Sequence, residues 1–337
     1  MQYALLIKSH ANARYTQSIE KLALAELQCM MQAWGMDTAA KIEPIAGANF
    51  LTFWAVDMDK QAWRAISRHS AICFAASVEQ GLMRPIPLER EGYLPDDIAE
   101  VLKYKGKTNA DFTMMALHCA IAASDFAKDE KPLAILDPVC GRGTALFCAL
   151  REGHHAVGVE WNGKDIAEAD RYFARYLKYH KMKHRRETGS ITMQGAGNAK
   201  EIRYFFANDA ESYKEGRGKT LRLLTGDTKK ADQMLGSKSC HVIAGDLPYG
   251  VQHGPGQDGG TKPIQTLLEG AMPAYVKILK PGGAIALSFN TYTLSRQTVE
   301  ETVRSAGLTV CGFPYSDFSH WVEQAVNRDL VVAKKGN

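Results

Sequence analysis

Two short runs of this 337-residue chain gather residue types that can do chemistry. The first is Asp137-Pro138-Val139-Cys140-Gly141-Arg142-Gly143-Thr144, which follows the apolar run 133–136 and opens a helical pattern. Glycines at 141 and 143 let backbone approach a ligand, and the helix N-terminus beyond them offers N–H groups to a carboxylate or phosphate. The spacing is not the GxGxxG of a dinucleotide fold, and the full P-loop pattern is absent. The second run is Gly245-Asp246-Leu247-Pro248-Tyr249-Gly250, which closes another apolar segment. Between the two, Glu160 ends a strand-like segment 23 residues after Asp137, where an acid can accept both hydroxyls of a ribose. Asp227, in Thr225-Gly226-Asp227, ends a third such segment and can take an adenine amino group. A loop of backbone donors, an acid for ribose and an acid for adenine describe a site for an adenosine with a charged tail.

The elements that must position these residues follow from periodicity. Residues 133–136, 156–159, 220–225, 241–245, 284–289, 308–313 and 329–333 read as strands, with helices at Thr144–Glu152, Gly163–His180 and Ile264–Leu279. Such alternation predicts an α/β domain with a doubly wound, mostly parallel sheet, whose ligand lies beyond the carboxyl ends of the strands. The last two strands have no clear room for a crossover helix and are expected as an antiparallel pair at one edge. Upstream, Asn109–Ala127 reads as a helix that Asn109 or Thr108 can cap. Before it, the proline-rich break 81–97 separates a small α+β unit with strands at 3–8, 49–56 and 71–78 and helices at Ser18–Trp34 and Lys60–Ser70. The expected division is therefore a module over 1–95 and a larger domain over 96–337. Within the latter, 185–220 shows no clean βα pattern, and a basic insertion is expected around 181–220.

The larger part, roughly residues 103 to 334, resembles the class I S-adenosylmethionine-dependent methyltransferases, and among them those that methylate exocyclic amines of bases. Asp137 to Thr144 is similar to their first motif, Glu160 to their ribose acid and Asp227 to their adenine-edge acid. Asp246-Leu247-Pro248-Tyr249 is similar to their catalytic (Asp/Asn)-Pro-Pro-(Tyr/Phe) motif, with Leu247 in place of the first proline. Lys105-Gly106-Lys107-Thr108-Asn109 resembles a segment preceding the first motif in the tRNA guanosine N2-methyltransferases that act on guanosine 10. Their N-terminal region is similar in layout to residues 1–80, including Ser67-Arg68. The resemblance implies a Rossmann-like class I methyltransferase domain with a seven-stranded, mostly parallel sheet and an antiparallel edge hairpin. It further implies S-adenosyl-L-methionine as cofactor, RNA and in particular tRNA as partner, and guanine N2 as the methylated atom. Adenine N6 in RNA or DNA is the alternative within the same chemistry, and a non-catalytic S-adenosylmethionine-binding protein is the alternative outside it. An exocyclic amine is a poor nucleophile because its lone pair is conjugated into the ring. The Asp246 carboxylate and the Leu247 carbonyl can hold its hydrogens, while Tyr249 stacks on the base.

Several residues keep two readings. Asp137 either braces the glycine loop or contributes to cofactor binding, Thr108 either caps a helix or faces the site, and Trp161 either covers the adenosine or fills the core. Cys140 lies in the loop with nothing nearby to make it a nucleophile. Arg142 is expected in solvent, and His118 and His241 in structural roles. Seven cysteines without CxxC spacing argue against a disulfide framework and a structural zinc site, so no metal is expected. The longest apolar stretch, around 112–123, is too short to cross a bilayer, and the first residues lack the layout of a signal peptide. A cytoplasmic protein with no membrane association is the expectation. The net charge of +4 conceals an asymmetry: residues 171–230 hold 15 Lys+Arg against 6 Asp+Glu. With Tyr176 and Tyr179 interleaved, the basic stretch 178–186 is a candidate surface for RNA, or else a solvated helix end.

Overall fold

The structure, a computed structural model, describes residues 1–9, 13–56, 58–102, 107–195, 197–249, 261–312 and 317–337, with only the backbone of 13–17 and 261–263 considered. Lys105, Gly106, Gly250 and Phe313, all named from the sequence, lie outside the described residues.

The N-terminal part is built on β1 (Gln2–Ile7), α1 (Ala13–Ala33), β2 (Lys41–Ile45), β3 (Ala48–Trp54), α2 (Lys60–Ser67), β4 (Ile72–Glu79) and β5 (Leu82–Pro85). The strands form one antiparallel sheet in the order β2-β3-β1-β4-β5. Helix α2 starts where Asp59 accepts the N–H groups of Gln61 and Ala62. β2 and β5 are additions to the sequence expectation. Each contains a proline, which argues against a central strand but is tolerated at a sheet edge, where both lie. The rest of the proline-rich break is tied down: Ile86 N–H bonds Ala75 O, Arg90 donates to the carbonyls of Ser67 and Ile72, and Tyr93 N–H bonds Arg151 O.

The second part comprises α3 (Ala110–Ala123), β6 (Ala134–Asp137), α4 (Thr144–Arg151), β7 (His155–Glu160), α5 (Gly163–Tyr179), β8 (Lys183–Met193), β9 (Gly197–Ala207), α6 (Ala210–Lys214) and β10 (Lys219–Thr225). It continues with α7 (Ala231–Leu235), β11 (Cys240–Asp246), α8 (Thr261–Ile278), β12 (Leu279–Asn290), α9 (Arg296–Ser305), β13 (Leu308–Val310), β14 (His320–Glu323) and β15 (Val326–Lys335). Ten strands form one sheet in the order β13-β15-β12-β11-β6-β7-β10-β9-β8, with β14 paired to β15. β10, β7, β6, β11 and β12 are parallel, and the winding reverses between β6 and β11. This is the doubly wound, Rossmann-like α/β arrangement that the alternation predicts, and the reversal is where such sheets open a ligand crevice.

The final strands form the expected antiparallel pair at one edge, with β13 outermost and β15 between it and β12, antiparallel to both. One expectation changes. The segment expected to lack regular structure is a hairpin, β8 against β9, that extends the sheet beyond β10. The first eight residues of β8 are exposed, so there is no apolar alternation to read.

The two parts meet along α1 and α3, where Leu22, Ala25 and Cys29 join the core that α3, α4 and α5 share. Glu26 is fully buried in that seam. Its carboxylate accepts from Ser70 N–H and hydroxyl and pairs with His118 Nδ1 of α3 at 2.6 Å. His69 is held neutral, because its Nδ1 accepts from Ala71 N–H while Nε2 donates to Ala23 O. Nε2 of His118 faces Glu152 at 4.0 Å, too long for a hydrogen bond and close enough for an ion pair. Burial alone would raise the Glu26 carboxyl, but the hydrogen bond and charge of His118, with the Ser70 hydroxyl, bring it down to about 2. Burial likewise acts to lower His118, and the facing Glu152 and Glu26 raise it to about 9. His118 and His241 thus have structural positions, the latter accepting Ala134 N–H.

Candidate active site

One cavity of about 1160 Å³ opens at the carboxyl ends of the parallel strands. Of the thirteen candidate catalytic and cofactor-binding residues, twelve line it: Thr108, Asp137, Cys140, Gly141, Thr144, Glu160, Trp161, Asp227, Asp246, Leu247, Pro248 and Tyr249. Gly143 does not. It is the N-cap of α4, with φ of 92°, a left-handed conformation that lets the loop turn directly into the helix.

The loop after β6 is held from three sides. Asp137 Oδ1 accepts Val139 N–H at 3.1 Å, and Cys140 N–H bonds Val159 O of β7 at 3.0 Å. Glu160 accepts from Gly141 N–H at 3.0 Å with one carboxylate oxygen and from Asn162 N–H at 2.8 Å with the other. It therefore bridges the loops after β6 and β7. Arg142, expected in solvent, instead pairs with Asp165 at 2.8 Å and Glu168 at 2.7 Å, pinning the loop to α5. A glycine in the middle of β7 makes the packing possible: a Cβ on Gly158 would lie 2.6 Å from both Cys140 Sγ and a Leu146 methyl. Cys140 is buried beneath the loop, and burial with Asp137 and Glu160 nearby pushes its thiol far up, which removes it as a nucleophile. At the rim, Trp161 is 77% exposed, so the core reading of this residue is set aside. Asp227 accepts Lys229 N–H at 3.0 Å, which keeps its carboxylate at the cavity edge.

Asp246, at the end of β11, is the most heavily bonded group. Thr108 donates to Oδ2 at 2.5 Å, Tyr249 hydroxyl donates to Oδ1 at 2.6 Å, and Ser288 of β12 also donates to Oδ1. A carboxylate has about four acceptor positions, so three donors orient it and leave one for a ligand. The choice between capping and facing the site is resolved for Thr108, because Asn109 caps α3 and accepts from Asp111 and Phe112 N–H. Leu247 turns its side chain into the core between β11 and α8, and its N–H bonds Ser288 O at 2.9 Å. Arg328, buried on β15, donates from Nε to the Tyr249 hydroxyl at 2.5 Å. Its guanidinium carbon stands 4.6 Å from the Phe112 ring centre and 5.3 Å from that of Tyr249.

The cavity is acidic. Asp137, Glu160, Asp165, Asp227, Asp246 and Glu323 line it against Lys107, Lys229 and Arg328. Asp137 is buried at its floor. Burial, with further push from Asp246 and Glu160 and against the pull of Val139 N–H, raises its carboxyl to about 8.

Sequence reasoning missed Ser288, Arg328, Phe112 and Gly158. Ser288 had a signal, since it follows an apolar strand run on the ligand side of a parallel sheet. Arg328 had none, because it comes from the strand that reverses direction.

The basic stretch is not at this cavity. α5 runs away from the ligand side, and Lys183 pairs with Ala207 near the first residues of β10. The seven residues of β10 put Lys178–Arg186 about 20 Å from the cavity end of the sheet. Arg186 there is bonded to Asp170 through two nitrogens at 2.9 Å. Among the described residues no group of three or more His, Cys, Asp or Glu could hold a metal ion, and no helix is long and apolar enough to cross a membrane.

No protein-family model and no curated protein matches the chain. Among solved structures it is similar to TrmN from Thermus thermophilus, at 13% identity over 98% of this chain and 70% of that one, with a TM-score of 0.42. A TehB-like SAM-dependent methyltransferase from Corynebacterium glutamicum covers 63% of this chain and 84% of its own at 15% identity and a TM-score of 0.35. A Burkholderia thailandensis 1,6-didemethyltoxoflavin-N1-methyltransferase with bound S-adenosylhomocysteine covers 66% and 79% at 13% identity and a TM-score of 0.37. Likenesses this distant do not bear on what the chain acts on.

Proposed function

We propose that this protein is an S-adenosylmethionine-dependent methyltransferase that acts on an exocyclic amine of a nucleobase in RNA, with guanine N2 in tRNA as the favoured target. The observation that carries the reading is the position of Asp246. An oriented carboxylate with one acceptor position left shares a single cavity with a glycine loop, a helix N-terminus and the Glu160 bridge.

The residues fit the cofactor by charge and by donor type. Its ammonium and sulfonium groups are cations, which an acidic cavity with a buried, uncompensated Asp137 favours. The N–H groups of the first turn of α4, where Thr144 and Ala145 line the cavity, would hold its carboxylate. Glu160 and Asp227 lie at the strand ends where ribose hydroxyls and an adenine amine are accepted, and Trp161 stands at the rim. When bound, the cofactor would supply an electrophilic methyl group, its sulfonium becoming a neutral thioether as the sulfur–methyl bond breaks.

Asp246 does the rest of the chemistry we assign. It accepts one hydrogen of the incoming amine, which localises the nitrogen lone pair, and stabilises the cation that forms when nitrogen takes the methyl group. The extra proton then leaves through Asp246 to water. Pro248 fixes the backbone between Leu247 and Tyr249 and so the direction of the motif. A paired base would have to leave its stack to reach this depth. In this reading, residues 1–95 form a separate module beside a methyltransferase domain over 96–337.

The test is transfer of a labelled methyl group to total RNA, followed by nucleoside analysis. N2-methylguanosine supports the reading, N6-methyladenosine moves it to the alternative base, and tight cofactor binding without transfer to RNA or DNA makes the protein a binder.

A further inference from the structure

An amine-accepting carboxylate cannot by itself tell guanine from adenine or cytosine, since all three offer an exocyclic amine. We propose that Arg328 and the Tyr249 hydroxyl read the remainder of the base edge next to Asp246, and that Arg328 selects guanine. The inference rests on the nucleobase-amine reading of the cavity and adds to it the residue that sets specificity.

The polarity of the row is fixed by its own hydrogen bonds. Tyr249 hydroxyl gives its proton to Asp246 at 2.6 Å, and Arg328 Nε donates to the phenol oxygen at 2.5 Å. With its proton committed, the phenol oxygen can offer a ligand only a lone pair. A guanidinium is always a donor, with N–H groups on three nitrogens, and it is Nε that meets the phenol. Along the cavity wall the row therefore reads acceptor at Asp246, acceptor at Tyr249 and donor at Arg328.

The Watson–Crick edge of guanine reads donor at N2, donor at N1 and acceptor at O6, the complement in the same order. Adenine presents a donor at N6, a bare lone pair at N1 and a C–H. Cytosine presents a donor at N4 and then two lone pairs. Either base sets a lone pair against the phenol oxygen, and adenine also leaves the guanidinium facing carbon. In a dry site such mismatches cost more than any lost apolar contact, because buried polar groups go unpaired.

The donor is held where this reading needs it. β15 pairs with β12 so that Arg328 lies opposite Asn290, two residues beyond Ser288, and the Phe112 and Tyr249 rings flank the guanidinium. This uses the phenol edge-on, through its hydroxyl, in place of the stacking expected from the sequence.

The experiment compares two bases that share the amine. The nucleotide methylated by the wild-type protein is first mapped in unmodified tRNA transcripts, and 2-aminopurine riboside is then placed there. 2-Aminopurine keeps the N2 amine and lacks both N1–H and O6. The wild-type protein is expected to prefer guanine by at least about 100-fold. Arg328→Met is expected to lower the guanine rate by about 10-fold or more and change the 2-aminopurine rate by less than about threefold, so the preference shrinks to the share that the phenol oxygen holds. Arg328→Lys, which keeps a donor without the fork, should restore part of the preference. Unchanged binding of labelled cofactor by both variants reports that the cavity is folded. Equal loss on both bases, or an undiminished preference in Arg328→Met, overturns the inference while the methyltransferase reading stands. N6-methyladenosine as the wild-type product also overturns it alone, whereas no transfer by the wild-type protein to any base amine overturns both.

Discussion

The molecule buries two carboxyl groups in opposite electrical situations, one in the seam between its two sheets and one on the cavity floor. Glu26 is met from within the fold by His118 and is held ionised, its carboxyl at about 2. Among the described residues Asp137 has a backbone N–H and other acids around it, and its carboxyl rises to about 8. Folding thus completes the charge balance at the seam and leaves it incomplete at the cavity. A buried acid whose counter-charge the chain supplies marks a joint, and one whose counter-charge is missing marks a place for a cationic ligand.

The comparison can be broken or sharpened by substitution. The largest expected effect is on chemistry: Asp246→Ala should reduce methyl transfer by about 10³-fold or more, with cofactor binding retained, as measured by labelled-methyl transfer and equilibrium dialysis. Near-normal activity would remove Asp246 from the mechanism. Next, Glu26→Ala leaves the His118 charge buried beside a more distant Glu152 and should cost about 3–5 kcal/mol of stability in denaturant unfolding. A loss below 1 kcal/mol would mean that the seam is not an electrostatic joint. Third, Glu160→Ala releases both the Gly141 and Asn162 amides and should weaken cofactor binding by about 10- to 100-fold. Unchanged affinity would take Glu160 out of the site.

The effects of pH are spread over several units and so are small at any one pH step, and they separate the two acids most directly. His118 has a folded pKa of about 9, above the unfolded value of about 6.5. Its contribution is complete below 6.5 and is lost as pH rises through 9, on the order of 3 kcal/mol. Asp137 is protonated in the fold and ionised when unfolded, so it costs stability increasingly from about pH 4 to 8. Both slopes run the same way without ligand, and His118→Gln and Asp137→Asn should each flatten one of them in thermal melts. A cationic ligand acts on Asp137 alone. Its affinity should rise with pH towards 8, by at most about tenfold per unit, and lose that dependence in Asp137→Asn. A flat profile in the wild-type protein would show that the cofactor's charge is answered elsewhere.

Much of the cavity was legible because a parallel sheet delivers its strand ends to one side, so acids closing successive apolar runs fall together. Asp137, Glu160, Asp227 and Asp246 all obey that rule. The rule is silent on strands that run the other way, which is why Arg328 on β15 was invisible. It was also silent on which end of the sheet a charge-rich segment reaches: the basic stretch lies next to a cofactor element in sequence and about 20 Å from the cavity in space. Hairpin β8–β9 was unreadable because a strand exposed on both faces carries no periodic signal. Prolines hid β2 and β5 for the opposite reason, since sheet edges permit what centres forbid.

That exposed hairpin settles a different matter. A sheet of ten strands ends at β8 in an open row of N–H and C=O groups, a template on which a strand from another molecule can grow. The residues that start this row are Lys183, His184, Arg185 and Arg186, all exposed. Charged side chains on an edge strand oppose such growth, so the positive charge that lies far from the cavity stands where an open sheet edge calls for it.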